Sequence, residues 1–212
     1  MPDFSLLAVT ETLISGEEKE LIELVKNTLD QGIPAKKILD EGLIHGMDIV
    51  GERMETGEMF IPEVLRCAKV MSAAVEILKP FLGEKDISAT GRVVIGTVKG
   101  DLHDIGKNLV IMMLESAGFE VHDLGVDVPP DTFVSAIKEK DADVLALSAL
   151  LTTTTNMMKA TIDAVKESAL RDRVKIMVGG APVKQEFADK IGADGYAPDA
   201  GSAVKLAKTL VR

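Results

Sequence analysis

Through the first 85 or so residues, apolar positions return every three to four residues, the spacing that lines up one face of an α-helix. Between Glu17 and Gln31 the stripe is Leu21, Ile22, Leu24, Val25 and Leu29, and Gly32 ends it. Pro34 can open a second helix, because the N–H it lacks is one that a helix start leaves unbonded anyway. Leu39, Leu43, Met47, Val50 and Met54 then continue the stripe as far as Thr56-Gly57. A third begins near Pro62 and passes through Val64, Leu65, Ala68, Met71, Ala74, Val75 and Leu78 towards Phe81. With a short helix before Ser15-Gly16, these elements predict a four-helix bundle over residues 1–84. The stretch "GEKDISATG", 83–91, has no period, and residues 85–91 are predicted to link the bundle to a second domain, 92–212.

Beyond the linker the period shortens. "RVVIGTV", "EVHDLG", "DVLALSAL" and "VKIMVGG" are short β-branched or apolar runs. Each is followed by a helix-length segment: Asn108 to Ala117, Pro130 to Lys140, Asn156 to Ala169 and Val183 to Ile191, with a last helix near Ala200 to Val211. Such alternation predicts a doubly wound parallel sheet, Rossmann-like and more narrowly flavodoxin-like. Ligands of these sheets bind outside the carboxyl ends of the strands. Three unusual loops follow strands here: "GDLHDIG" after Val98, "SALLTTTT" from Ser148 and "GGAP" from Gly179. Parallel strands bring all three to one edge, so one ligand can touch them all. Uncharged hydroxyls and side-chain-free glycines suit a bulky, polar group lying against backbone.

Charge and cysteine content narrow the function. The 24 basic and 34 acidic residues leave a net charge of -10. Residues 1–84 hold 16 acidic and 8 basic side chains, so the bundle is no basic nucleic-acid head. Anionic lipid is disfavoured by the same balance. Cys67 is the single cysteine, which rules out an internal disulfide, and one Cys with three His is too poor a set for a structural zinc site. No apolar run approaches the roughly 20 residues that span a bilayer, and the acid-bearing start is unlike a signal peptide, so a cytoplasmic protein is expected.

The three loops also carry a resemblance. D-x-H-x-x-G is Asp101, His103 and Gly106; S-x-L is Ser148 and Leu150; G-G is Gly179 and Gly180. In these motifs the chain resembles the cobalamin-binding proteins of the methionine synthase and corrinoid methyltransferase family. "GERMETGEMFIPEVLRCAKVMSAAVEIL" is similar to the helical cap that precedes their cobalamin domain, so the likeness covers nearly the whole chain. It implies a cobalamin or related corrinoid bound base-off, with the cofactor's own benzimidazole displaced and His103 on cobalt. Asp101 would hold the second imidazole nitrogen, and the Ser148 hydroxyl would bond Asp101 in turn. Gly100, Leu102, Asp104, Leu150, Thr152 and Ala181 would join the motif residues around the cofactor. Gly106, Gly179 and Gly180 would make room for its nucleotide tail, and Tyr196 and Asp199, in the last strand-end loop, would approach the corrin edge. Met54, Met59, Phe60 and Ile61 would form an apolar lid, although the family carries an aromatic where Met54 stands. His45 and His122 match no motif.

In so short a chain the resemblance implies a methyl carrier rather than a whole methionine synthase. Its expected partners are a substrate:corrinoid methyltransferase acting on a methylated amine, methyl ether or methanol, a methylcorrinoid:acceptor methyltransferase using a tetrahydrofolate or a thiol, and a reductive activation protein. A cobalamin-dependent sensor or regulatory binding module is the alternative. Asp101→Asn is expected to keep the fold while changing how the imidazole donates.

Overall fold

The computed structural model describes residues 4–82 and 90–211, so most of the expected linker lies outside the described residues. The chain divides into two units, Met1–Ser88 and Ala89–Arg212.

In the first unit the apolar stripes fold as helices α1 (Phe4–Ser15), α2 (Glu18–Asp30), α3 (Ala35–Lys37), α4 (His45–Glu55) and α5 (Ile61–Leu78). Between α3 and α4 the chain stays helical but widens into π-helical turns over Ile38–Ile44. Sequence periodicity predicts one ordinary helix here, and the difference has a local cause. A Cβ on Gly42 would lie 2.9 Å from Val9 Cγ1, and one on Gly46 would lie 2.6 Å from Leu13 Cδ2, so α1 presses directly on this backbone. Thr10 Oγ1 also donates to the Gly42 carbonyl at 2.9 Å. Wider turns use extra residues and shift the phase of the stripe. Ile38 therefore occupies the core, while Leu39, which the pattern assigns to it, is only half-buried. Leu13, Leu21, Val25, Leu43, Val50, Val64 and Leu78 complete that core, with Met47 and Met71 as filler.

The second unit is a five-stranded parallel sheet. Its strands are β1 (Arg92–Thr97), β2 (Glu120–Asp123), β3 (Val144–Ser148), β4 (Lys175–Gly179) and β5 (Gly195–Ala197), in the order β2-β1-β3-β4-β5. The fifth strand has only three residues, too few to show a period of its own. Helices α6 (Ile105–Ser116), α7 (Pro130–Lys140), α8 (Thr155–Glu167), α9 (Gln185–Ile191) and α10 (Ala200–Leu210) alternate with them. The central strands are nearly all buried because both faces are covered, which is why they read as continuous apolar runs. Phe133 of α7 sits so close to β1 that a Cβ on Gly96 would come within 2.8 Å of its ring. From β1 the chain crosses to β2 on one side, and β3 returns to the other. The loops after β1 and β3 therefore part at this switch point and open the crevice where such sheets bind ligands.

Candidate ligand site at the switch point

The loop after β1 folds back on itself around one carboxylate. Gly100 turns the chain at φ +84°, and the Asp101 N–H donates to Val98 O at 3.1 Å. Thr97, buried at the end of β1, donates its hydroxyl to the His103 carbonyl at 2.9 Å, which closes the loop from inside. Asp101 is 0% exposed. Its Oδ1 accepts from the His103 N–H at 3.1 Å and lies 2.7 Å from His103 Nδ1. Its Oδ2 accepts from Leu150 N at 2.8 Å, Leu151 N at 3.1 Å and Thr154 Oγ1 at 2.8 Å. Burial alone would raise the Asp101 pKa, but the bonds from His103, Leu150 and Thr154 outweigh it and hold the carboxyl well below the usual carboxylate range.

An ionised carboxylate only accepts, so it fixes the imidazole tautomer with the proton on Nδ1 and the lone pair on Nε2. The His103 side chain is 50% exposed, and among the described residues nothing bonds Nε2. No group of three or more His, Cys, Asp or Glu side chains that could hold a metal ion occurs among the described residues. His103 thus offers a metal a single ligand rather than a cage. Near it in the two loops, Leu102 and Ile105 are 70% and 83% exposed, and Leu150 and Leu151 are also exposed, so apolar side chains stand open to solvent beside the polar Asp101 network.

Several expectations change. Thr154, not Ser148, supplies the hydroxyl to Asp101. Ser148 ends β3, where its carbonyl accepts from Val98 N at 3.0 Å as the strands part. Thr152 is exposed, and the turn it begins brings round the third threonine of the four as N-cap of α8. Tyr196 belongs to β5 and packs against the sheet core rather than standing in a loop. Asp199 caps α10, its Oδ1 accepting from Ser202 N at 2.8 Å. Gly180, at φ +124°, is demanded by the protein itself, since a Cβ there would fall 1.9 Å from Ala149 O. Gly179 is tight as well, its Cβ position lying 3.0 Å from Ala197 O. At Gly106, by contrast, a Cβ would meet nothing within 4 Å. Nothing in the chain requires a glycine there, whereas a ligand lying against the start of α6 would. Asp104 is the N-cap residue of that helix and accepts from Asn108 Nδ2 at 3.1 Å. Ala181 is exposed after β4.

Lys107 is buried, its Nζ donating at 2.8 Å to Asn108 Oδ1 and to both oxygens of Asp123 at the end of β2. No sequence pattern distinguishes it from a solvated lysine at a helix start. In the helical unit, Met54 lies half-buried in α4 and Met59 is buried. Phe60, 69% exposed, precedes α5, its N–H bonded to Glu63 Oε2 at 2.9 Å, and Ile61 begins that helix exposed.

Five donors converge on the Asp101 carboxylate, so Asp101→Asn is expected to cost stability although the fold is kept. Whichever way the amide turns, its NH2 faces at least one backbone N–H that can only donate, that of His103 on one side or those of Leu150 and Leu151 on the other. The variant is expected to lose about 2 kcal/mol of stability at neutral pH, measured by urea unfolding. Because the folded pKa of Asp101 is depressed, the carboxylate's contribution is fully present above its unfolded value, about 3.9, and is lost as pH falls through the lower folded value. The gap between wild type and variant should therefore narrow below about pH 4. A gap independent of pH would show that the ionised carboxylate is not the source.

A helical domain precedes a 2-1-3-4-5 parallel sheet, and the switch point of that sheet presents one carboxylate-held imidazole beside exposed apolar side chains. The B12 binding domain family matches residues 91–205, and a second family of the same description matches residues 7–79. "Dimethylamine corrinoid protein 3" of Methanosarcina acetivorans is 45% identical over 203 residues, covering 96% of this chain and 95% of that one. Among solved structures, a cobalamin-binding protein from Desulfitobacterium hafniense DCB-2 superposes with a TM-score of 0.85 at 34% identity, covering 98% of each chain. The methanol:cobalamin methyltransferase complex MtaBC of Methanosarcina barkeri contains a chain that superposes with a TM-score of 0.85 at 29% identity, covering 100% of this chain and 81% of that one. This chain belongs to the cobalamin-binding family of corrinoid proteins.

Proposed function

We propose that this protein carries a methyl group on a corrinoid held base-off, with His103 Nε2 as the lower ligand to cobalt. The observation that carries the reading is the imidazole itself: Nδ1 is tied to Asp101 at 2.7 Å and Nε2 is left with its lone pair. When bound, the corrinoid supplies a cobalt centre that can accept a methyl group from one partner and release it to another. The chain's residues do the rest. His103 would hold the cobalt, Asp101 keeps the proton on Nδ1, and the Leu150 and Leu151 amides with Thr154 hold Asp101. Ser148, Gly179 and Gly180 shape the neighbouring strand ends, and the open space at Gly106 leaves room beside them. In the helical domain Phe60 and Ile61 are exposed, and with Met54 and Met59 they are the apolar side chains we assign to keeping water from a bound methyl group.

In this reading the donor chemistry belongs to a separate methyltransferase. The relative of M. acetivorans is named for dimethylamine, and the M. barkeri complex is named for methanol. The class of donor is therefore a small methylated amine or alcohol. An acceptor methyltransferase takes the group onward to a folate or thiol, and a reductive activation protein restores the cofactor. All of this takes place in the cytoplasm, with the helical domain over 1–84 joined through 85–91 to the cobalamin domain.

Corrinoid-loaded protein with histidine labelled by ¹⁵N tests the ligand. The cobalt(II) electron paramagnetic resonance spectrum should change from three-line to two-line nitrogen splitting, and an unchanged pattern would remove His103 from cobalt. Deuterated methyl groups from dimethylamine, monomethylamine and methanol, each supplied with its methyltransferase, test the transport. Transfer to a thiol acceptor should require this protein with at least one donor, and failure with all three would overturn the carrier role.

A further inference from the structure

The histidine loop is also gripped from outside by a residue that lies in none of the three motifs. After β2 the chain turns through Gly125 and Asp127, and Asp127 takes φ +55°, a left-handed conformation that Asp and Asn tolerate far better than branched or bulky side chains. That turn presents both polar groups of Asp127 to the loop after β1. Its N–H donates to the Asp101 carbonyl at 3.0 Å, and its Oδ1 accepts from the Gly100 N–H at 2.7 Å. Gly100 is itself left-handed at φ +84°. One residue thus holds the backbone on both sides of the Asp101 Cα. The grip is anchored on the next residue, where Val128 N donates to Thr97 O at 3.0 Å and Val128 pairs with Val98.

Thr97 fixes the other end of the loop through the His103 carbonyl. Between these two points the chain has little freedom left, and the Asp101 side chain has one place from which to reach both Nδ1 of His103 and the amides after β3. We propose that Asp127 is a positioning residue, a clamp across the β1 and β2 loops that sets the Asp101–His103 pair in the geometry a metal ligand needs. The proposal rests on the reading of His103 as the lower ligand, and it extends the set that prepares the imidazole to the loop after β2. The bond from the Gly100 N–H runs to a carboxylate, which makes it charge-assisted and stronger than a neutral bond of the same length.

Two substitutions separate the clamp from the turn that carries it. Asp127→Gly keeps the left-handed backbone free of strain and removes the acceptor, and Asp127→Asn keeps both the conformation and an acceptor oxygen. In cofactor-free protein near pH 8, ¹⁵N spectra of the imidazole report the ratio of Nδ1–H to Nε2–H tautomers. That ratio should fall about fivefold in Asp127→Gly, the effect of one hydrogen bond's worth of orientation, and return to within about twofold of wild type in Asp127→Asn. Hydrogen exchange at the Gly100 amide should accelerate in the glycine variant alone. In loaded protein, the fraction of cobalt(II) showing histidine nitrogen coupling should follow the same order. A glycine variant with wild-type tautomer ratio and wild-type coupling would overturn the clamp, as would an asparagine variant no better than glycine. Absence of histidine coupling in the wild-type protein would instead count against the ligand reading, and the cofactor-free tautomer ratios would still decide whether Asp127 positions His103.

Discussion

His103→Ala is expected to cut methyl transfer by at least about 100-fold, the upper end of what losing a supporting residue around a metal does, while barely changing how stable the protein is. The two halves follow from different parts of the geometry. The imidazole is half exposed, so its truncation uncovers little apolar surface, and Asp101 still receives the His103 backbone N–H, the Leu150 and Leu151 amides and the Thr154 hydroxyl. One bond out of five on that carboxylate is lost, a cost of about 1 kcal/mol. For the cofactor, the proposed reading makes His103 the protein's ligand to cobalt, and among the described residues no group of three or more His, Cys, Asp or Glu side chains could hold a metal ion. Thermal unfolding of the cofactor-free variant and methyl transfer by the loaded one measure the two effects separately. A variant that transfers within threefold of wild type would show that the imidazole is not a working ligand.

Gly180→Ala is expected to do the opposite, costing about 4 kcal/mol of stability whether or not cofactor is present. A methyl group at this position would fall 1.9 Å from Ala149 O, 2.9 Å from Ala149 C and 3.2 Å from Ala149 N, all backbone atoms that cannot swing aside. The φ of +124° adds strain that no L side chain escapes. Backbone strain of this kind costs about 1–3 kcal/mol, and forced overpacking costs about as much again. Gly106→Ala makes the contrast. Its Cβ meets nothing within 4 Å, and an alanine in the first turn of α6 should leave the cofactor-free protein as stable as wild type or up to about 1 kcal/mol more so. Corrinoid loading should nevertheless fall if, as proposed, the open space at Gly106 receives part of the cofactor. Urea unfolding with cofactor titration distinguishes the two glycines, and a Gly106→Ala variant that loads normally would mean that the space serves no ligand.

Much of this molecule follows from short-range pattern. The change of apolar period near residue 91 separates helical bundle from parallel sheet, since residues 3.6 apart share a helix face and residues two apart share a strand face. Parallel strands then oblige the loops after Val98, Ser148 and Gly179 to meet at one edge. Asp101 as the partner of His103 is also legible, because two positions of separation let a carboxylate reach back to an imidazole in a tight loop.

Contacts between segments distant in the chain decided the rest. Four consecutive threonines look alike in one dimension, and only the turn after Leu151 determines that Thr154 meets Asp101 while the Ser148 hydroxyl does not. The pressure of Val9 and Leu13 on Gly42 and Gly46 moved the core position from Leu39 to Ile38. Asp127 carried no signal, because its partners Gly100 and Asp101 lie on another strand's loop. Periodicity reports which face of an element is buried. Which particular atoms meet across elements depends on loop geometry and close packing, and those exist only once the sheet and its helices have come together.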